Sequence, residues 1–181
     1  VRTLVLGGIR SGKSHWAETA IARTAGDTAP VRYLATGPAA DSDPAWADRV
    51  GAHQARRPAH WHTVETADLA ADLVDGQLET PGTATLVDDI GGWLTATMDR
   101  VGAWTGVPVA PEVDVLVRAV DAFTAPLVLV SPEVGLTVVP ATEAGRRFAD
   151  ELGTVNQRLA AVCDRVVLVV AGQPLTVKEP S

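Results

Sequence analysis

The sequence predicts an α/β protein: one domain over residues 1–181, with a mostly parallel β-sheet and helices on both faces. Two observations carry this. Apolar runs of strand length alternate with amphipathic helix-length segments along the whole chain, the pattern of consecutive βαβ units. The first of these units also contains G-G-I-R-S-G-K-S over residues 7–14, a match to G-x-x-x-x-G-K-[ST]. Composition adds a third. With 46% hydrophobic and 20% charged residues in 181, the chain can bury a full core and is unlike a disordered one.

In chain order, "TLVLG" near 3–7 is the first strand, and "KSHWAETAIARTA" after the glycine-rich loop is a helix. A chance match in a turn is the bland reading of the loop, but strand, loop and helix are the context the motif requires. "VRYLAT" at 31–36 is the second strand, and residues 44–56 have helical spacing. His60 and His62 flank Trp61 with the alternation of a chain entering a strand. Residues 66–75 are the next helix, "ATLVDDI" at 84–90 a strand, and 91–103 and 112–123 helices. "PLVLVS" at 126–131 and "DRVVLVV" at 164–170 are strands around a helix over 142–162, and "GQPLTVKEP" can add a last edge strand. "GDTAP", "GPAADSDP", "ETPGTA" and "TGVPVAP" are turn punctuation, too short to mark a domain boundary.

Net charge is −7, which argues against a nucleic-acid binder with a basic face. A negative protein still holds an anionic nucleotide where positive groups are local, as at Lys13. The single cysteine, Cys163, excludes a disulfide framework within the chain and reads as a small buried hydrophobe at a helix end. No leader-like segment stands ahead of the first strand, and no apolar run approaches the roughly 18 residues of a membrane span. A cytoplasmic enzyme is expected.

A loop of this form turns backbone N–H groups inward toward phosphate oxygens, and the following helix directs its positive end at the same anion. Lys13 reaches the outer phosphates and Ser14 ligates Mg²⁺. Ligands of such sheets bind beyond the carboxyl ends of the strands, where Asp88 and Asp89 end "TATLVDD". Asp88 is the candidate Mg²⁺-facing carboxylate, whereas Asp89 suits an N-cap for the helix that follows. Of the four histidines, His15 reads as a helix-surface residue, and the spacing of His53, His60 and His62 fits no standard zinc pattern. His53 is followed by Gln54, Ala55, Arg56 and Arg57, and an imidazole attacking phosphorus needs cations nearby. By residue chemistry alone it is a candidate nucleophile, with a noncatalytic histidine as the other reading.

"GGIRSGKS", "YLAT", "DRVGAHQARRPAHWHTVE", "LVDDIGGWL" and the long carboxyl-terminal stretch "EVGLTVVP…RRFADELGTVNQRLA" follow one another in an order and spacing that resembles a known family. It is the bifunctional adenosylcobinamide kinase / adenosylcobinamide-phosphate guanylyltransferase family of cobalamin assembly. The similarity spans nearly the whole chain, and the carboxyl-terminal stretch is its most specific part.

The resemblance implies a RecA-like phosphate-loop fold and two reactions. A nucleoside triphosphate, ATP or GTP, phosphorylates adenosylcobinamide. GTP then donates GMP to that phosphate through a histidine–GMP phosphoramidate, giving adenosylcobinamide-GDP and pyrophosphate. The matching histidine is His53, which with Lys13 makes the expected catalytic pair. Nucleotide contacts carried over by position are Gly7, Gly8, Ile9, Arg10, Ser11, Gly12, Lys13 and Ser14, then Thr36, Gly37 and Pro38, then Gln54, Ala55, Arg56 and Arg57, then Glu65 and Asp88. Ser14 and Asp88 are the implied Mg²⁺ ligands, and a homo-oligomer, a trimer, is the implied assembly. Four places depart from the family pattern: Asp89 replaces a cysteine, Pro132 an asparagine and Thr137 a glycine, and "GGW" at 91–93 replaces a more polar or branched stretch. Pro132 bears on the kinase half, because it removes an N–H and an amide side chain at a strand end. The alternatives are a small-molecule kinase without a covalent step, a guanylyltransferase-only variant, or a regulatory nucleotide-binding module.

Overall fold

The computed structural model describes residues 1–26, 28–37 and 57–180. The helix expected over 44–56 lies outside them, as do Pro38, His53, Gln54, Ala55 and Arg56. The described elements run β1 (Arg2–Gly7), α1 (Lys13–Ala25), β2 (Val31–Ala35), β3 (His62–Glu65), α2 (Leu69–Glu79) and β4 (Ala84–Asp88). They continue with α3 (Ile90–Val101), a 3₁₀ turn (Ala103–Thr105), α4 (Ala110–Asp121), β5 (Leu127–Pro132), α5 (Glu143–Val162), β6 (Arg165–Val170) and β7 (Gln173–Lys178).

Helix boundaries depart from the sequence reading where capping chemistry decides them. The strand expected over 84–90 stops at Asp88, because the Asp89 side chain accepts a hydrogen bond from the Gly92 N–H and starts α3 at Ile90. In the same way Asp68 accepts from the Ala71 N–H, so α2 begins at Leu69 and not at 66. Pro111 in the first turn of α4 moves that start to Ala110, since proline's missing N–H is not needed there.

The strands form one sheet in the order β3-β2-β4-β5-β1-β6-β7. Every neighbouring pair is parallel except β6 and β7, which are antiparallel. The pleat sends successive side chains to opposite faces. Leu4, Val87 and Leu129 pack with α2, α3, α4 and α5, while their neighbours Val5, Leu86 and Val128 pack with Ala17 and Ile21 of α1. Both faces are therefore covered, and the central strands read as continuous apolar runs.

Register brings the carboxyl ends of the strands to one rim. Gly7 pairs with Pro132, Asp88 with Val130, and Ala35 with both Asp88 and Glu65. The glycine-rich loop leaves β1 at this rim and leads into α1.

Candidate active site

The loop from Gly8 to Gly12 is exposed at Gly8, Ile9 and Arg10 and closes on itself through a hydrogen bond from the Ser11 N–H to the Gly8 carbonyl, 3.3 Å. Gly12 has φ +92°, and a Cβ there would stand 3.1 Å from Cα of Gly172. Only glycine meets both demands. The β6–β7 turn braces the loop: the Gly172 N–H donates to the Ser11 carbonyl at 2.7 Å. Lys13 Nζ donates to the Gly8 carbonyl at 3.3 Å, so its ammonium lies back over the loop. Ser11 Oγ is buried without a hydrogen-bond partner among the described residues. Free amides at the start of α1, an ammonium and an unpaired hydroxyl together make an anion cradle.

Asp88, at the end of β4, faces this loop. Its Oδ1 accepts from Ser14 Oγ at 3.4 Å, and its Oδ2 accepts from the Tyr33 hydroxyl at 2.7 Å. Burial, and then the nearby Asp88 charge, push the Tyr33 phenol well above its ordinary range, so it stays a proton donor. The guanidinium of Arg57 lies over the Tyr33 ring, 3.3 Å from the centroid, and donates from Nη1 to Thr63 Oγ1 at 3.1 Å.

Asp89 has a different task. Its Oδ1 accepts from the Gly92 N–H at 2.7 Å, capping α3. Burial raises its carboxyl above the usual range, the Asp88 charge adds to this, and the Gly92 hydrogen bond opposes it. Thr36 is buried; its hydroxyl donates to the Asp89 carbonyl and its N–H to the Asp88 carbonyl at 3.3 Å. Gly37 passes close to Gly92, where an added Cβ would meet its Cα at 3.3 Å.

The fold thus gathers the loop from Gly7 to Ser14, Asp88, Thr36 and Gly37 at one place on the rim. Glu65 ends the edge strand β3, beyond β2 and exposed. His15, His60 and His62 are exposed. Tyr33 is absent from the sequence-based candidates. Its signal was available: it is the single tyrosine of the chain, in a strand covered on both faces, and a buried phenol must find a partner.

Pro132 keeps its carbonyl paired, accepting from Asn156 Nδ2 at 3.0 Å, while Ser131 Oγ donates to Asn156 Oδ1 at 2.6 Å. Its ring packs against Gly91, where an added Cβ would stand 2.8 Å from Pro132 Cγ. The "GGW" segment and Pro132 are therefore in direct contact.

Among the described residues no group of three or more His, Cys, Asp or Glu could hold a metal ion. Ser14 and Asp88 do set two hard oxygens side by side at the mouth of the loop. That donor set suits Mg²⁺, which typically takes one or two protein oxygens together with substrate phosphates and water.

A phosphate loop at the carboxyl rim of a parallel sheet, with an acid ending another strand beside it, defines a P-loop nucleotide-using protein. Solved structures of two ATPases agree on the fold. One, an isolated ATPase domain, covers 92% of this chain and 68% of its own length at TM-score 0.50 and 10% identity. The other, an ATPase from the type III secretion system of pathogenic bacteria, covers 92% and 50% at TM-score 0.52 and 13% identity. Residues 3–177 match the family described as "Cobinamide kinase / cobinamide phosphate guanyltransferase". The chain belongs to this family and is a bifunctional cobinamide kinase and cobinamide phosphate guanylyltransferase of cobalamin biosynthesis. It is 38% identical to the bifunctional adenosylcobalamin biosynthesis protein CobP of Pseudomonas aeruginosa, over 98% of both chains. It is likewise 38% identical to the CobU protein of Salmonella typhimurium, over 97% of this chain and 98% of that one. The Escherichia coli CobU protein is 34% identical over the same shares. The expected α/β class, the family and its two activities are borne out. No helix among the described residues is long and apolar enough to cross a membrane.

Proposed function

We propose that the corrinoid substrate is adenosylcobinamide and that both transfers use the loop from Gly7 to Ser14. The observation that carries this is the convergence of Lys13, Ser14 and Asp88 at one rim of the sheet. In the kinase reaction Lys13 and the loop amides hold the β- and γ-phosphates of ATP or GTP while the aminopropanol hydroxyl takes the γ-phosphoryl group. Bound at Ser14 and Asp88, Mg²⁺ would neutralise charge on the phosphate oxygens.

In the guanylyl transfer a ring nitrogen of His53 forms a bond to the α-phosphorus of GTP as the bond to pyrophosphate breaks. An ordinary imidazole, with a pKa of about 6.5, is largely neutral near pH 7 and needs no separate base. Lys13 and the loop amides stabilise the departing pyrophosphate, and Arg56 or Arg57 the α-phosphate oxygens. A phosphate oxygen of adenosylcobinamide phosphate then attacks the same phosphorus, the P–N bond breaks, and GMP passes to the corrinoid. Thr36, Gly37, Pro38, Gln54, Ala55 and Glu65 complete the nucleotide contacts in this reading. One domain, a trimeric assembly and a cytoplasmic setting are parts of the same proposal, supported by family likeness.

The test is the intact mass of the protein after incubation with GTP and Mg²⁺. A gain of one GMP supports the reading. No gain, with cobinamide phosphorylation intact, leaves a kinase without a covalent step.

A further inference from the structure

Tyr33 is the single tyrosine of the chain and lies in β2, almost fully buried. It touches the candidate site on two sides at once. Its hydroxyl binds Oδ2 of Asp88 at 2.7 Å, and its ring face carries the Arg57 guanidinium at 3.3 Å. With Oδ2 held by the phenol, rotation of the Asp88 carboxylate is restrained and Oδ1 is presented to Ser14. With the guanidinium held on the ring and bonded to Thr63, Arg57 is fixed at two points. Arg57 stands four residues after His53 in the chain. The contact between a cation and an aromatic face is worth most where water is excluded, as it is around a buried ring.

We propose that Tyr33 is a positioning residue joining the two halves of the site. Its hydroxyl aims the Asp88 carboxylate at the metal and the phosphate loop, and its ring seats Arg57 for guanylyl transfer. The inference rests on the reading above, in which Asp88 faces Mg²⁺ and the Arg57 segment serves the second reaction. The hydroxyl and the ring have separable duties, so different substitutions separate them.

The hydroxyl is tested by titrating a non-hydrolysable GTP analogue into wild-type and Tyr33→Phe protein, with chelator and with Mg²⁺. Wild-type protein binds more tightly with Mg²⁺, because metal and nucleotide binding are coupled. Tyr33→Phe keeps its chelator affinity within about twofold and loses the Mg²⁺-dependent tightening by about fivefold or more. It still forms the GMP–protein adduct at saturating Mg²⁺, since phenylalanine preserves the ring. Tyr33→Leu loses the metal linkage too, and its adduct formation falls by about tenfold or more. Thr63→Val, an isosteric change at an exposed strand position, removes the second anchor of Arg57. It slows adduct formation severalfold and leaves the metal linkage as in wild type.

Unchanged Mg²⁺ linkage in Tyr33→Phe overturns the role of the hydroxyl. Equal weakening with and without metal reduces Tyr33 to a structural residue and also overturns it. Full adduct formation in Thr63→Val and Tyr33→Leu overturns the role of the ring. No Mg²⁺ linkage in wild-type protein overturns the metal assignment and this inference together. Linkage in wild type with none lost in Tyr33→Phe overturns the hydroxyl's role and leaves the metal assignment standing.

Discussion

Asp88 and Asp89 are consecutive residues with opposed partners: Asp88 accepts from Ser14 and Tyr33 at the phosphate loop, and Asp89 accepts from the Gly92 N–H at the start of α3. Asp88→Asn replaces a charged oxygen ligand and should weaken metal-dependent catalysis by about tenfold or more, with a raised Mg²⁺ requirement. Asp89→Asn should be mild, because asparagine caps helices about as well as aspartate. Kinase rates measured against Mg²⁺ concentration decide it, and reversed severities would show the two acids to be wrongly assigned.

Lys13 lies over the loop at 3.3 Å from the Gly8 carbonyl and serves both reactions in the proposed mechanism. Lys13→Ala should depress cobinamide phosphorylation and guanylyl transfer alike, by about tenfold at least, or ~1.4 kcal/mol of transition-state stabilisation. Wild-type rates in either assay would refute the placement of the nucleotide.

His53→Ala should abolish the GMP–protein adduct and GTP/pyrophosphate exchange while nucleotide binding stays measurable. Phosphorylation of cobinamide should persist in the same variant, because phosphoryl transfer in a P-loop enzyme needs no covalent protein intermediate. His60→Ala and His62→Ala should still form the adduct. A labelled adduct on the His53→Ala protein would make another residue the nucleophile, with His60 the first to examine.

Gly91 and Pro132 are sterically coupled. An alanine at 91 would place Cβ 2.8 Å from Pro132 Cγ and 3.1 Å from Cδ. Gly91→Ala should therefore destabilise by about 1–3 kcal/mol, the usual range for overpacking, despite alanine's better helix propensity. In a Pro132→Ala background the ring contact is gone and Asp89 Oδ1, 3.2 Å from the added Cβ, stays close, so the same substitution should cost less by about 1 kcal/mol or more. Chemical unfolding of the four proteins closes the cycle; additive effects would dissolve the coupling.

Acid sensitivity should depend on Asp164. The side-chain hydrogen bond from Arg2, followed by the Arg2 backbone N–H, holds its carboxyl below the usual range. A depressed carboxylate contributes stability above its unfolded pKa and loses it as pH falls through the folded one. Asp164→Asn should lower Tm at neutral pH, and the gap to wild type should shrink as pH falls below about 4. A gap independent of pH would mean that the charge of Asp164 contributes nothing to stability.

Much of this molecule is written locally in its chain. The phosphate loop is contiguous from Gly7 to Ser14, the alternation of apolar runs and helical segments is periodic, and Asp88 ends an apolar run, so α/β class and loop are legible without coordinates. The Asp89 cap is local too, acting three residues ahead on Gly92. Strand neighbours are not local. Alternation tells which residues share a face, but not which strand lies alongside or in what register. Tyr33 and Asp88 stand 55 positions apart and meet because β2 pairs with β4 so that Ala35 faces Asp88. Gly172 braces Ser11 from the far end of the chain through the order β5-β1-β6-β7, and Pro132 reaches Gly91 because β5 lies beside β4. These contacts come from packing choices made by the whole sheet, where many long-range pairings compete and burial of both faces selects one.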